Sequence, residues 1–557
     1  MENKEIASVF KQLGRLMELH DENEFKAKSY ASAAFKIERL EMPLAGLSLA
    51  ELDKIEGIGK STASKIIELN ETGNLDELQQ YTDKTPAGVL KMMTIKGIGP
   101  KKAGMIWKEM NIETIGELLY ACNENRLVGV KGFGEKTQEA IKKVIEFTIS
   151  NTGKFHYAAL ENLSKFIIDG FKSQGIIQIS EVGEMRRQCE VVDKIDILLA
   201  ANYNKLSFQF LEDIGFGPKE GEIGIIINQD GVKVKLHFCP PSMFNALLVE
   251  LTGNDAHFTM LKELIGTKWN ENRDSEEEIY TSIGLDFVPP PMREGKYELE
   301  MAKNHHIPIL ITDKDIKGIL HAHSTYSDGL KSLEIMATRC KELGYEYLGI
   351  TDHSQSAFYA NGLKPDRLIE QHKEIDELNK KLHPFKIFKG IESDILGDGS
   401  LDYEDKVLQS FDFIIASIHS NLKMTEEKAT ARLLAAIKNP YITILGHPTG
   451  RLILAREGYP IDHRAVIDAC ATHNVVIELN ANPFRLDLDW RWIQYAKEQN
   501  VLISINPDAH SIEGLNDVHY GVKAAQKGGL NKEFTFNNKS REEIENYFSK
   551  RKEMIHS

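Results

Sequence analysis

Near-continuous apolar runs recur at intervals near 30 residues in the C-terminal part of the chain, at 318–320, 347–350, 387–391, 413–418, 442–445, 475–479 and 501–505. Runs that are apolar on both faces suit parallel strands buried on both sides. The intervals leave room for a helix between each pair. The pattern predicts a (β/α) barrel of seven strands rather than eight. The first 150 residues read differently. Apolar positions there keep helical spacing, as in Ala63, Ile66 and Ile67 or Ala103, Ile106 and Trp107. Tight glycine turns interrupt these helical stretches.

Three of the turns share one pattern: Ile55-Glu-Gly57-Ile-Gly59-Lys60, Ile95-Lys-Gly97-Ile-Gly99-Pro100 and Val130-Lys-Gly132-Phe-Gly134-Glu135. Each follows a short helical stretch and opens a longer one. Unpaired N–H groups at such a helix start, together with its dipole, suit a phosphate. A contact of that kind reads backbone and not bases. The turns resemble helix-hairpin-helix DNA-binding motifs. On that resemblance Gly57, Gly59, Lys60, Lys65, Gly97, Gly99, Lys101, Gly132 and Gly134 are the expected DNA contacts, and binding is independent of sequence.

Length and charge narrow the picture. At about 150 residues per domain, 557 residues suggest three to four domains. The net charge of −15 excludes a strongly basic nucleic-acid binder, so any such surface is local. Residues 1–150 hold 21 Lys+Arg against 23 Asp+Glu, so most of the acidity lies beyond them. The five cysteines are far apart and form no Cys-x-x-Cys, which points to a reducing compartment. Neither an apolar leader nor a run of 18 apolar residues is present, so a cytoplasmic protein without membrane spans is expected.

Of 18 histidines, eleven fall between His321 and His519. The apolar runs end in ligand-type residues: His321 and His323 then Asp328; His353; Glu392; His419; His447; and Asp508 with His510. In barrels of this kind the chemistry sits at the C-terminal strand ends. His-x-His places two imidazoles on one face of a strand. Imidazole with carboxylate suits Zn²⁺, Mn²⁺ or Fe²⁺. Nine candidates exceed the needs of one ion, so two or three metals are implied, a set that polarises phosphoryl groups. This set resembles the PHP family of metallophosphoesterases, which implies that all nine are metal ligands and catalytic. Arg451 is a candidate phosphate clamp, and Tyr359 and Asn361 are candidate nucleotide contacts. His372, His383, His463 and His473 lie in helical stretches and are expected at the surface.

Between these regions, Gly183-Glu184-Met-Arg186-Arg187 precedes Asp193-Lys194-Ile-Asp196. The stretch resembles the nucleotidyltransferase signature of family X DNA polymerases, and Thr252-Gly253-Asn254 resembles their nucleotide-pocket turn. The resemblance implies three carboxylates holding two Mg²⁺. This chain has Lys194 and Lys235 at two of those positions, Glu184 at the family's Ser, and keeps only Asp196. Lys65 stands at the spacing of the family's 5′-deoxyribose-phosphate lyase nucleophile, with Lys26 and Tyr30 near its phosphate contacts.

The whole order resembles the bacterial PolX family. It implies a multidomain chain: helical regions at 1–85 and 86–150, an α+β nucleotidyltransferase-like palm and thumb at 151–295, a linker at 296–315, and a (β/α)7 PHP barrel at 316–557. The function implied is DNA repair by a metal-dependent 3′–5′ exonuclease acting on gapped or 3′-ended DNA, with a polymerase-like core that has lost synthesis and Mg²⁺. The alternatives are a gap-filling DNA polymerase and a small-molecule phosphatase.

Overall fold

The computed structural model describes every residue except 41, 151–152, 220–223, 229–230, 271–272 and 557. The chain forms two compact units, one of residues 1–123 and 127–146, the other of 124–126 and 147–557.

The first unit is helical. Phe10, Leu13, Tyr30, Ile37, Ala63 and Ile66 lie in its core. Each of the three turns joins a short helix to a longer one: Leu49–Leu52 to Lys60–Thr72, Ala87–Met92 to Pro100–Met110, and the 3-10 turn Leu127–Gly129 to Glu135–Ser150. The middle residue of each turn is buried (Ile58, Ile98, Phe133), while both glycines are exposed. The first glycines have φ of +92° at Gly57, +97° at Gly97 and +90° at Gly132. No atom lies within 4 Å of a Cβ built at Gly97. Left-handed backbone, and not lack of space, therefore requires glycine there.

In the second unit, a five-stranded mixed sheet runs in the order Ile179–Val182, Ile195–Leu199, Lys233–Phe238, Ile225–Ile227, Gly217–Pro218. The helix Tyr157–Lys172 buries Leu160, Ile167 and Phe171 among its apolar residues. Strands Ile195–Leu199 and Lys233–Phe238 pair in parallel, with Asp196 opposite Lys235.

The C-terminal strands are all parallel. Lys386–Lys389, Tyr347–Ile350 and Gly318–Ile319 form one sheet. Glu392–Asp394, Ile415–Ser417, Ile444–Leu445, Val476–Asn480 and Ile503–Asn506 form another. Parallel bridges His353–Glu392 and Ala322–Ala509 join the two sheets at both seams. The expected seven strand positions are all present. The third falls into two segments, Lys386–Lys389 and Glu392–Asp394, with Gly390 N–H still donating to the Ile350 carbonyl (2.9 Å) between them. A Cβ at Gly390 would lie 2.6 Å from the Phe413 ring, an approach that only glycine tolerates.

Residues 296–315, expected from the resemblance as a linker, are instead packed. Helix Glu298–Lys303 buries Leu299 and Ala302 beside Val249, Leu261 and Tyr280. Buried Glu298 anchors it by accepting from the backbone N–H of Gly295 and Lys296, at 2.6 and 2.8 Å. Polar contacts also tie the polymerase-like region to the barrel. Buried Lys527 donates to the Arg187 carbonyl (2.8 Å) and lies 2.5 Å from Glu294. Trp490 Nε1 donates to Glu190 (3.0 Å).

Candidate metal centre

The nine candidate ligands converge at one end of the barrel. His321 and His323 follow Gly318–Ile319, His353 follows Tyr347–Ile350, His419 follows Ile415–Ser417, His447 follows Ile444–Leu445, and Asp508 and His510 follow Ile503–Asn506. Three groups of ligand atoms form, each within 4.8 Å: His323, Asp328, His353 and His510; His321, His323, Glu392 and Asp508; His353, Glu392 and His419. His323, His353 and Glu392 are each shared by two groups. His447 lies outside the three, but its Nε2 is 3.0 Å from Glu392 Oε1. Glu392 is the hub, 3.0 Å from His353 Nδ1 and 3.1 Å from His419 Nε2.

Electrostatic compensation holds these groups together. Burial disfavours charge on Glu392, yet His419, His353 and His321 around it keep its carboxyl well below the ordinary range. Burial pushes His323 down to about 3, aided by the imidazoles of His510 and His353. Burial opposes charge on His419 as well, but Glu392 and Asp394 lift it to about 9. Asp508 adopts a left-handed backbone, φ +54°, a strained conformation that the surrounding fold enforces.

The residues present fit divalent cations. His321 Nε2, both ring nitrogens of His353, Asp328 Oδ2, Glu392 Oε2 and His510 Nε2 are buried and lack a well-directed hydrogen bond. Buried polar atoms normally have one. Imidazole and carboxylate lone pairs left unsatisfied and facing one another are a donor set for borderline metals.

A surrounding layer, not foreseen from the sequence, fixes the ligands. Glu478 lies with Oε1 2.6 Å from His321 Nδ1 and accepts from the His447 N–H at Oε2 (3.0 Å). Asp394 Oδ1 is 2.6 Å from His419 Nδ1. Asn480 donates to Asp508 Oδ2 (3.1 Å). The signals were faint: an acidic residue inside an apolar run at 478, and Asp394 on the same strand face as Glu392 by the period of two. Two further residues come from 124–126. Arg126 Nε lies 3.6 Å from Asp328 Oδ2, with its guanidinium 4.9 Å from the Tyr359 ring centre, and Glu124 contacts His510.

Arg451 is not available as a clamp. Its guanidinium donates to the Arg485 and Leu486 carbonyls and pairs with Asp489. Tyr359 does face the cluster, with its ring 6.0 Å from His353 and 6.5 Å from His419, whereas Asn361 donates to the Tyr326 carbonyl. His463 stacks on Trp492 at 4.6 Å, and His372 is half-buried against Phe411; neither is simply a surface residue.

Family models match three stretches: a helix-hairpin-helix domain at 1–75, a SAM-like helix-hairpin-helix tandem at 89–146, and a PHP domain at 320–482. A Bacillus subtilis protein named DNA polymerase/3′-5′ exonuclease PolX is 34% identical over 99% of this chain and 100% of its own length. The chain belongs to the PolX family. Probable phosphatases of Thermoanaerobacter and Vibrio parahaemolyticus, 26% and 29% identical, match 39% and 38% of the chain and 85% and 82% of their own lengths.

In this PolX-family chain the polymerase-like centre is neutralised. Lys194 Nζ lies 2.6 Å from Asp196 Oδ2, and His237 Nε2 lies 2.8 Å from Oδ1. Burial raises the pKa of Asp196, but His237 and Lys194 outweigh it and keep the carboxyl below its usual value. Glu184 accepts from the Asp193 backbone N–H (2.9 Å). In the helical unit, Lys60, Lys131 and Lys136 are exposed. Lys65 instead turns toward Glu77 (2.7 Å), which Lys26 also meets (2.6 Å) and Tyr30 approaches at 3.5 Å. Lys101 lies 3.7 Å from Glu24. Among the described residues, no helix is long and apolar enough to cross a membrane.

Proposed function

We propose that this chain acts in DNA repair as a metal-dependent 3′–5′ exonuclease, with the nine-residue cluster as its catalytic centre and a polymerase-like core that no longer synthesises. The observation that carries the reading is the sharing of Glu392, His323 and His353 among three adjacent ligand groups. Two or three ions (Mn²⁺, Zn²⁺ or Fe²⁺) would be held by His321, His323, Asp328, His353, Glu392, His419, His447, Asp508 and His510. When bound, they supply Lewis-acid polarisation of the phosphodiester and a nucleophile at neutral pH. The chain's own residues do the rest. Glu478 and Asp394 set the tautomers of His321 and His419 by accepting hydrogen bonds from their Nδ1–H groups. Asn480 holds one Asp508 oxygen so that the other faces His321 and His323. Tyr359 walls one side.

The helix-hairpin-helix turns hold DNA through Gly57, Gly59, Lys60, Gly97, Gly99, Lys101, Gly132 and Gly134, without base readout. Lys65, paired with Glu77, serves that role only by leaving its partner. The expected substrate is gapped or 3′-ended DNA, and the expected functional divisions are 1–85, 86–150, 151–295 and 316–557. Incubation with 5′-labelled gapped DNA and Mn²⁺, with and without dNTPs, tests the reading. Shortening in both arms supports it. Lengthening with dNTPs refutes the loss of synthesis, and an unchanged strand refutes the nuclease.

A further inference from the structure

The polymerase-like sheet carries a cationic face that neither the nuclease nor the hairpin turns use. Lys233, Lys235 and His237 alternate along strand Lys233–Phe238 and therefore share one face. Register sets Lys235 beside Asp196, with Ile225 on its other side and Ile227 beside Lys233. Lys194, two residues before Asp196, joins the same face. Three ammonium groups and an imidazole thus share a face with one carboxylate.

That carboxylate is fully engaged. Both of its oxygens are held, Oδ2 by Lys194 and Oδ1 by His237. Neither Lys233 nor Lys235 has an ion-pair partner among the described residues, and both are half-buried. A partly desolvated cation with no counter-ion is unfavourable unless an anion arrives from outside.

From this juxtaposition we infer that Lys233 and Lys235, flanked by the Lys194–Asp196–His237 cluster, form a site that binds a phosphate group directly, without a divalent ion. The phosphate belongs to a DNA strand and not to a nucleotide tail. The arginines next to the site are already consumed. Arg186 pairs with Glu276 and donates to Thr252 Oγ1 (2.8 Å). Arg187 pairs with Glu294 (3.1 Å) and donates to the Thr252 carbonyl (2.8 Å). A triphosphate would find two free ammonium groups and no free guanidinium there, whereas a strand needs only point charges along its backbone. The inference rests on the DNA-acting reading above and adds a second, metal-independent grip.

The test uses the full chain in EDTA, with DNA binding read by fluorescence anisotropy across a salt series. The unaltered protein should bind in EDTA. The Lys233→Ala/Lys235→Ala double variant should bind more weakly, and its slope of log affinity against log salt should be shallower by about one to two, one for each phosphate that is no longer neutralised. Lys235→Arg should keep the parental slope. Lys172→Ala, which removes an exposed lysine elsewhere, controls for general charge loss, and a parent-like melting temperature shows that the double variant is folded. A short oligonucleotide should compete, and dATP should not. Parental affinity and slope in the folded double variant, or loss of all binding by the unaltered protein in EDTA, would overturn the site. Competition by dATP alone would overturn the strand assignment. Degradation of DNA with Mn²⁺ is scored separately, so failure of the nuclease reading leaves this result intact, and the reverse.

Discussion

Replacing Glu478 with Gln barely changes volume and removes no proposed ligand, yet it should disable the centre. The Glu478 carboxylate is fully buried and faces three nitrogens: His321 Nδ1 at 2.6 Å and Asn506 Nδ2 at 3.2 Å on one oxygen, and the His447 backbone N–H at 3.0 Å on the other. Glutamine has one accepting oxygen and an NH₂ group. Whichever way the amide is turned, its NH₂ meets either the His447 N–H or the Asn506 amide together with His321. Turning it toward His321 also forces the ring into the other tautomer, which places a proton on Nε2, the atom that faces Glu392 and Asp508. Loss of an orienting partner of this kind lowers metal affinity or activity by about 10–100-fold. That is about 1.4–2.8 kcal/mol, at 1.4 kcal/mol per tenfold. The buried donor left unpaired costs about 1–3 kcal/mol of stability besides. The assay is the Mn²⁺ concentration for half-maximal DNA degradation, measured beside thermal melting. A Glu478→Gln protein with the parental Mn²⁺ requirement would refute the claim that Glu478 fixes His321.

Other consequences are as direct. Gly57→Ala, Gly97→Ala and Gly132→Ala should each lose about 1 kcal/mol or more, because φ near +90° is hostile to a Cβ; DNA affinity should fall, with no change in sequence preference, in a binding series over varied duplexes. His519 is raised to about 9 by hydrogen bonds to Asp313 and then Glu161. Its stabilising contribution is therefore complete below the ordinary histidine value of 6.5 and is lost as pH rises through about 9; His519→Asn should flatten the change in melting temperature between those limits. Templated dNTP addition with Mg²⁺ should be absent from the unaltered chain, because Lys194 and His237 occupy both oxygens of Asp196; primer extension on a gapped template measures it.

The nine candidate ligands were legible because ligand-type residues end apolar runs, and a strand end is where a barrel exposes side chains. The same logic hid Glu478, which lies within strand Val476–Asn480 and reads as an interruption of the core. Its role depends on His321, 157 residues away. Arg451 misled for a related reason: Asp489, 38 residues on, claims its guanidinium, and no local pattern announces that pair. The resemblance implies a linker at 296–315, but Glu298 is bound to His257 (2.7 Å) and to backbone amides, which buries the segment that follows. That Gly390 must be glycine depends on the Phe413 ring, 23 residues on. Periodicity thus reports which elements form, while long-range polar pairs decide which side chains remain free.

On the proposed reading, the cluster at the barrel end cleaves DNA that other parts of the chain hold. The most direct measurement compares the unaltered chain with His321→Ala/His323→Ala for Mn²⁺-dependent shortening of a 5′-labelled 3′-ended strand, with DNA affinity measured in parallel. Degradation should fall by orders of magnitude while affinity stays within a few-fold, since the pair supplies ligands to two of the three groups, with His323 shared between them, and the hairpin turns bind elsewhere. Parental degradation by the double variant would contradict that reading.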